Sequence, residues 1–212
     1  MKMANGKKSG YKVVKRLSDI FFSLLGCLFL IPLTIILKIV YMITGDFAPI
    51  FYCHKRVGKN GKIIHILKFR SMVPNADRVL KKLLKKPGYK AEWSKNQKLD
   101  KDPRVTKLGK VLRKTSIDEV PQFINVLKGE MSIIGPRPLM VGELENHGGD
   151  PKIYTSVRPG ITGWWAANGR SETTYKERLE LEYYYIENLS LQLDIKCVFR
   201  TIAAVITKKG AK

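Results

Sequence analysis

An apolar run near the N-terminus, from Ile20 to Ile43, constrains the fold of this chain more than any other feature. As a helix it would be about 36 Å long, enough to cross a hydrocarbon core of roughly 30 Å. The run is longer than the apolar part of a signal peptide, and no small-x-small cleavage site follows it. We therefore expect it to hold the chain in a membrane.

Two residues in the run argue against a simple crossing. Pro32 removes a helical hydrogen bond near the middle of the run, and Lys38 places a charge in its second half. Both flanks are basic, and the positive-inside rule keeps basic flanks in the cytoplasm. A re-entrant helix-break-helix turns at Pro32 and leaves the membrane by the face that it entered. Such a path keeps both basic flanks in the cytoplasm. An ordinary kinked span is the alternative, because prolines are tolerated in membrane helices.

The composition is strongly basic, with a formal net charge of +21 over 212 residues. Such a charge favours an acidic partner, which could be nucleic acid, an anionic phospholipid membrane or a phosphorylated substrate. No recognisable nucleic-acid module is present, so we expect no nucleic acid partner. Three widely spaced cysteines without a CxxC pair predict reduced thiols, and three histidines without ligand spacing argue against a zinc site.

The remaining patterns predict an α+β, mainly α, fold with one core. Residues 1–45 form the basic N-terminus and membrane helix, and residues 46–212 form a small cytosolic catalytic domain with interfacial amphipathic helices. Residues 49–72 predict a short β-hairpin that turns at Asn60-Gly61. Amphipathic helices are predicted over residues 76–86, with Asn75 as the N-cap, and from Asp194 to near Gly210. Residues 87–103 lack periodicity and predict a mobile loop.

The chemistry is concentrated in residues 115–138, where Asp118 and Glu119 open an apolar helix that ends at Gly129. Pro121 is compatible only with the first turn of that helix, which places its start near Asp118. A capping box formed by Ser116 and Glu119 is one explanation of the acids. However, many cationic residues lie near the pair in the sequence, and cations beside a helix N-terminus favour the binding of phosphate. These residues are Arg104, Lys107, Lys110, Arg113, Lys114 and, beyond the helix, Arg137. Metal-assisted hydrolysis and attack by the carboxylate both fit these residue types.

Residues 102–138, DPRVTKLGKVLRKTSIDEVPQFINVLKGEMSIIGPRP, closely resemble the signature of the bacterial sugar transferases, the small monotopic phosphoglycosyl transferases. The segment from Lys68 to Met72, KFRSM, matches another motif of this family, as do Val157–Gly163 and Asn168-Gly169-Arg170. Resemblance extends from Lys15-Arg16 to the last helix. The chain departs from common family residues at four places, namely Ile31, His54, Ala166-Ala167 and Glu182.

The resemblance implies transfer of a sugar phosphate from a UDP-sugar to a polyprenyl phosphate, with release of UMP. It implies a bacterial inner membrane location, on the cytoplasmic face, and the re-entrant break at Pro32. In this interpretation Asp118 is the nucleophile and a Mg²⁺ ligand, while Glu119 orients the metal or assists the second step. Lys68 is an active-site residue, and the predicted substrate-binding residues are Arg70, Arg113, Pro136 and Arg137. A homo-oligomer is possible.

Two functions of other classes also fit the residues. A non-catalytic, membrane-bound module for anionic lipid would use the basic charge and the amphipathic helices without needing Asp118. A membrane-associated nucleic-acid-binding protein would show strongly salt-dependent retention of DNA or RNA.

Overall fold

The structure is a computed structural model that describes residues 5–96, 99, 101–169 and 173–207. Nine helices and four strands lie in these residues. The helices are α1 (Asn5–Ile43), α2 (Ala76–Leu83), α3 (Pro87–Asn96), α4 (Lys107–Lys114), α5 (Gln122–Leu127), α6 (Pro151–Tyr154), α7 (Trp164–Ala167), α8 (Tyr175–Glu187) and α9 (Leu191–Thr207). The strands are β1 (Phe51–Val57), β2 (Ile63–Phe69), β3 (Ser132–Ile134) and β4 (Gly160–Thr162). The α+β, mainly helical class is confirmed.

Helix α1 runs for 39 residues and continues through Pro32. The structure therefore does not divide the helix at Pro32, and the re-entrant path through a membrane stays a prediction. A proline removes one hydrogen bond of the helical ladder, and a helix with many remaining bonds and packed neighbours can continue past it. Among the described residues, the stretch Gly10–Ile43 is the one helix long and apolar enough to cross a membrane. Much of its surface is exposed and apolar, including Phe21, Leu28 and Ile35.

Helix α1 also packs against the rest of the chain along most of its length. Near its start, the Arg16 guanidinium donates to the carbonyl oxygens of Val126 and Leu127, at 2.7 and 3.0 Å. Near its end, the Tyr41 hydroxyl donates to the carbonyl oxygen of Arg70. Between these contacts it contributes to a hydrophobic cluster of Leu30, Leu37, Tyr41, Ile50, Phe69 and Leu112. The apolar run thus contributes to the core of the protein and also presents an exposed apolar surface.

The predicted hairpin is confirmed. Strands β1 and β2 pair antiparallel, from Phe51 opposite Phe69 to Val57 opposite Ile63. Asn60 and Gly61 both adopt left-handed backbone angles, with φ of 56° and 74°. Asparagine and glycine tolerate this region best, which explains why the chain reverses at this point.

A second, two-stranded sheet was not foreseen by the sequence patterns. Strands β3 and β4 pair in parallel, with Ser132 opposite Gly160 and Ile134 opposite Thr162. The two chain segments approach so closely that a Cβ on Gly135 would lie 2.5 Å from the carbonyl oxygen of Arg158. Only glycine fits there without a shift of the backbone. This sheet fixes the Gly135-Pro136-Arg137-Pro138 turn, because the turn follows β3 directly.

Two predictions for the segment between the hairpin and α4 need correction. Asn75 precedes α2 as predicted, but its φ is +59° and its side chain makes no cap hydrogen bond. Residues 87–96 form α3 rather than a loop. Pro87 is suited to the first helical position, and the absence of periodicity reflects a helix without a continuous apolar side. Beyond α3, Arg104 pairs with Asp102 at 2.6 Å and lies 5.5 Å from the Trp93 ring.

At the C-terminal end, α8 begins at a capping box between Thr174 and Glu177. The predicted last helix is confirmed as α9, and its apolar residues Ile195, Phe199 and Ile202 are exposed. The predicted end near Gly210 lies outside the described residues. Asp194 joins α9 to α1, because it accepts hydrogen bonds from Tyr11 and Lys15, both at 2.9 Å.

Candidate active site

The turn that carries the two acids is not the start of a regular helix. Residues Ile117–Glu119 form a single 3₁₀ turn, and α5 begins only after Pro121, which occupies its N-cap position. The predicted helix start at Asp118 is therefore about one turn too early, although the end at Gly129 is correct, with φ of +79°. The Ser116 side chain makes no cap hydrogen bond, so the capping-box explanation of the acids is wrong.

Lys68 lies beside the acidic pair. Its Nζ is 2.6 Å from Oε1 of Glu119, and each side chain is 23% exposed. The two residues come from β2 and from the turn before α5, and Asn125 holds these elements together. Its amide oxygen accepts from the Leu67 N–H at 2.9 Å, and its amide nitrogen donates to the His65 carbonyl oxygen at 2.8 Å. The sequence patterns did not indicate this positioning role of Asn125.

Asp118 is largely buried, and burial raises the pKa of its carboxyl group to about 6. Lys68 and Arg113 oppose this shift, whereas the neighbouring Glu119 adds to it. Arg113 donates from Nε to the Ser71 hydroxyl at 2.8 Å, and burial lowers the pKa of its guanidinium. A carboxylate with this pKa is ionised at neutral pH while remaining poorly hydrated, which suits a nucleophile.

A cleft opens on the Glu119 side of this cluster and contains about 520 Å³ of empty space, part of which is open to solvent. Small-molecule sites in proteins occupy roughly 300–1,000 Å³. Its lining includes Lys68, Glu119, Gln122 and Arg137, together with the end of the β4 segment and Trp165. The structure thus brings three of the predicted site residues, Lys68, Glu119 and Arg137, to one cleft.

Arg137 is held by its backbone on both sides. Its N–H donates to Oε1 of Glu182 at 2.9 Å, and its carbonyl oxygen accepts from the Tyr154 hydroxyl at 3.0 Å. Pro136 is fully buried, and its carbonyl oxygen accepts the Gly160 N–H at 2.8 Å. The Arg137 guanidinium lies 5.5 Å from the Trp165 ring. The turn is therefore rigid, while the charged end of Arg137 lines the cleft.

Arg70, also predicted to bind substrate, has several contacts within the protein. Its guanidinium donates to the carbonyl oxygens of Pro49 and Met72, at 2.7 and 3.0 Å, and to Asp46 at 2.9 Å. It is 9% exposed, and it lies 4.8 Å from the Tyr41 ring. These contacts tie the end of α1 to the hairpin. A role in substrate binding stays a prediction.

Several charged residues near the cleft were not predicted from the sequence. Arg56 lines the cleft, and Glu182 lines it although only 1% of its surface is exposed. Burial, with the nearby Arg137 charge, lowers the pKa of Arg56 to about 10. Burial also raises the pKa of Glu182 to about 7. Beyond them, Arg178 pairs with Glu143 at 3.1 Å. No short motif marks Arg56 or Arg178, and the comparison of motifs shows Glu182 only as a departure from a common family residue, because their contacts join distant segments.

Helix α1 contacts α5 and β3, the two elements that flank the site. Arg16 covers the last carbonyl groups of α5, where its positive charge matches the negative end of that helix. One turn later, Oδ1 of Asp19 accepts hydrogen bonds from the Ser132 hydroxyl and the Ile133 N–H, both at 3.0 Å. Asp19 is 5% exposed. Helix α1 therefore helps to position α5 and β3, which flank the site.

The acids Asp118 and Glu119 are also suitable ligands for a magnesium ion. No group of three or more His, Cys, Asp or Glu side chains converges on one point among the described residues. Mg²⁺ does not require such a group, because it is commonly held by one or two carboxylates together with substrate phosphates and water. The two acids, beside a cleft lined by cations, fit that mode of binding.

Together, the long exposed apolar helix and the cation-lined cleft are consistent with a membrane-associated protein that has a site suited to phosphorylated substrates. Comparison with known proteins gives the family. The model of the bacterial sugar transferase family matches residues 10–208, and the chain belongs to that family. The resemblance seen in the motifs is thereby confirmed.

Several relatives have names that state a function. The chain is 43% identical to an undecaprenyl-phosphate galactose phosphotransferase of Salmonella typhimurium, over 98% of this chain and 43% of the relative. It is 42% identical to the exopolysaccharide production protein ExoY of Sinorhizobium fredii, over 94% of this chain and 88% of the relative. It is 36% identical to a UDP-N-acetylgalactosamine-undecaprenyl-phosphate N-acetylgalactosaminephosphotransferase of Aeromonas hydrophila, over 95% of this chain and 46% of the relative. The chain thus spans less than half of the first and third relatives.

Proposed function

We propose that this protein transfers a sugar phosphate from a UDP-sugar to undecaprenyl phosphate or a similar polyprenyl phosphate, and so begins the assembly of a bacterial polysaccharide or glycan. The observation that carries this proposal is the Lys68–Glu119 pair in the wall of a cleft that Arg137 also lines, with the buried Asp118 next to Glu119 and within the electrostatic influence of Lys68. The names of the relatives support the substrate classes.

In the first proposed step, a carboxylate oxygen of Asp118 attacks the phosphorus nearer to the sugar. A phosphorus–oxygen bond forms to Asp118, the bond to the leaving UMP oxygen breaks, and UMP departs with that electron pair. Lys68, Arg113 and Arg137 stabilise the negative charge that spreads over the phosphate oxygens in the transition state. Their positive charges also hold the diphosphate of the donor before the reaction.

In the second proposed step, a phosphate oxygen of the polyprenyl acceptor attacks the phosphorus bound to Asp118. The new diphosphate forms as the bond to Asp118 breaks, and the carboxylate is restored. Glu119 helps to orient this exchange from its contact with Lys68. Mg²⁺, when held by Asp118, Glu119 and substrate phosphates, would withdraw charge from the transferring group. A single site then serves a soluble donor and a lipid acceptor in turn.

The proposed location is the cytoplasmic face of the inner membrane, with both ends of the apolar run on that face. Arg16 and Tyr41 are about 38 Å apart at a rise of about 1.5 Å per residue, yet both contact the catalytic part of the chain. If α1 crossed the bilayer alone, one of these contacts would have to lie on the far side. Same-face insertion, including a re-entrant path, avoids that conflict.

The test is UMP release by purified protein with polyprenyl phosphate, Mg²⁺ and a panel of UDP-galactose, UDP-glucose and UDP-N-acetylgalactosamine. We expect release with one or two of these donors, abolished by chelator and reduced at least 1,000-fold, on the order of the loss of a covalent nucleophile, in Asp118→Asn. Equal activity of Asp118→Asn and the unmodified protein would exclude the proposed mechanism. Vesicle binding without any release would favour the lipid-binding module instead.

A further inference from the structure

The side chain of Arg137 lines the cleft, and its N–H groups are not used within the protein. The hydrogen bonds of this residue are made by its backbone, with Glu182 and Tyr154. Its guanidinium forms no hydrogen bond or ion pair within the described part of the chain. A free guanidinium can bind a phosphate through two N–H groups at once. A long side chain without partners also has much rotamer freedom, which binding would have to remove.

The ring of Trp165 restrains this side chain. The guanidinium carbon of Arg137 lies 5.5 Å from the centre of the ring, which is within the range of a cation–π interaction. Such an interaction acts on the positive charge as a whole, whereas a carboxylate would occupy the N–H groups themselves. The ring can therefore hold the guanidinium in the cleft and leave its donors free for a substrate.

The parallel sheet brings these two residues together. Strands β3 and β4 pair as far as Ile134 and Thr162. Arg137 and Trp165 each lie three residues beyond this pair. The Gly135 N–H extends the contact between the two segments, because it donates to the Thr162 carbonyl oxygen at 2.9 Å. The two side chains therefore reach the cleft from equivalent positions of two paired segments.

Trp165 is itself held in place by two contacts. Its indole N–H donates to the Thr173 hydroxyl at 2.7 Å. The guanidinium carbon of Arg178 lies 4.8 Å from the centre of the same ring. Arg178 is only 8% exposed and pairs with Glu143 at 3.1 Å, so this contact is fixed by the interior of the protein. Trp165 thus offers Arg137 a rigid partner.

We propose that Trp165 is a positioning residue for the transfer reaction. Its ring holds the Arg137 guanidinium in the cleft, so that the free N–H groups of Arg137 bind the diphosphate of the sugar-nucleotide donor. This inference rests on the proposed function, in which Arg137 stabilises the charge on the transferring phosphate. Trp165 therefore acts through Arg137 and not through a contact of its own with the donor.

A double-mutant cycle tests whether Trp165 acts through Arg137. The cycle compares the unmodified protein with Trp165→Leu, with Arg137→Gln and with the variant that has both changes. Leucine keeps an apolar side chain but removes the ring. The measured quantity is kcat/KM for the UDP-sugar in UMP release, which in the proposed two-step mechanism reports on the donor half-reaction. Trp164→Leu is the matched control, because the neighbouring Trp164 ring lies 4.8 Å from the guanidinium carbon of Arg200.

We expect Trp165→Leu to lower kcat/KM for the donor about threefold to thirtyfold, the range of one cation–π interaction. In the Arg137→Gln background the same change should lower it by less than about twofold, because the interaction is already lost. Trp165→Phe keeps a ring face and should lose less activity than Trp165→Leu. Trp164→Leu should have the same effect in both backgrounds.

Equal losses from Trp165→Leu in both backgrounds would overturn the inference, because Trp165 would then act on the donor directly or on the fold as a whole. If Trp165→Leu does not fold, graded fluorination of the Trp165 ring tests the same contact. Fluorine weakens the negative face of the ring with little change of shape, so kcat/KM should fall with each added fluorine, and a constant value would contradict the proposal. Failure of the proposed function is distinct, because the unmodified protein would then release no UMP from any donor.

Discussion

Nζ of Lys68 and Oε1 of Glu119 are 2.6 Å apart, which joins the second strand of the hairpin to the turn that carries the proposed nucleophile. Each side chain is 23% exposed, so the pair is screened from water more than a surface ion pair. The same lysine acts electrostatically on Asp118. Lys68 therefore contacts one acid of the pair and favours ionisation of the other.

Removal of the lysine charge should impair catalysis much more than stability. We expect Lys68→Met to lower kcat about 100-fold or more, the range seen when one preorganised charge is removed from a transition state. Steady-state UMP release measures this effect. Lys55→Met is the matched control, because Lys55 is exposed on the neighbouring strand and should keep near-normal activity. Comparable losses in both variants would assign the effect to overall charge.

The raised pKa of Asp118 predicts an acidic limit to the first half-reaction. The carboxylate must be unprotonated to attack, and its pKa in the folded protein is about 6. The kcat/KM for the UDP-sugar should therefore be constant above about pH 7 and should fall tenfold per pH unit below about pH 6. The donor is the appropriate substrate, because a diphosphate diester does not titrate in this range. A profile that stays flat down to pH 4.5 would contradict this role for Asp118.

The contact between α1 and β3 predicts that a residue of α1 supports the site. Asp19→Ala would leave the partly buried Ile133 N–H and the buried Ser132 hydroxyl without their acceptor, so we expect a loss of about 1–3 kcal/mol in unfolding free energy. Activity should fall as well, because β3 leads directly into the Gly135-Pro136-Arg137-Pro138 turn. Thermal unfolding in detergent and UMP release measure the two effects. Lys12→Ala, at an exposed position on the same helix, should change neither the unfolding temperature nor the activity. An Asp19→Ala variant with normal stability and normal activity would contradict the prediction.

Same-face insertion predicts that both ends of the apolar run are accessible from the cytoplasm. Single cysteines introduced by Lys12→Cys and Thr44→Cys, in a chain whose three natural cysteines are replaced, should both react with an impermeant maleimide only after the inner membrane is opened. Both positions are exposed. Reaction of Thr44→Cys in intact spheroplasts, with Lys12→Cys protected, would instead establish a crossing helix.

The sequence is informative where a local pattern determines the structure. The Asn60-Gly61 turn, the hairpin around it and the apolar stripe of α9 follow from backbone preference and periodicity, so they are predictable. Asp118, Glu119 and Arg113 are close along the chain, and their grouping is visible for the same reason. The family motif adds Lys68, which no local pattern links to the acids.

The sequence is uninformative where contacts between distant segments determine the structure. Strands β3 and β4 are three residues long and pair through glycines, which leaves no alternating pattern to detect. Glu182 contacts Arg137 across 45 positions of the chain, and its importance arises only from burial. The continuity of α1 past Pro32 likewise depends on packing along its length. Helix α3 was missed because it has no apolar side that periodicity could reveal.

The most direct test of the central proposal is the intact mass of the protein after incubation with the UDP-sugar and Mg²⁺ in the absence of polyprenyl phosphate. We expect the unmodified protein to gain the mass of one sugar phosphate, with the modification located on Asp118 by fragmentation and lost when polyprenyl phosphate is added. Asp118→Asn should gain no mass. UMP release that requires the acceptor from the start, with no adduct on the unmodified protein, would contradict a covalent intermediate on Asp118.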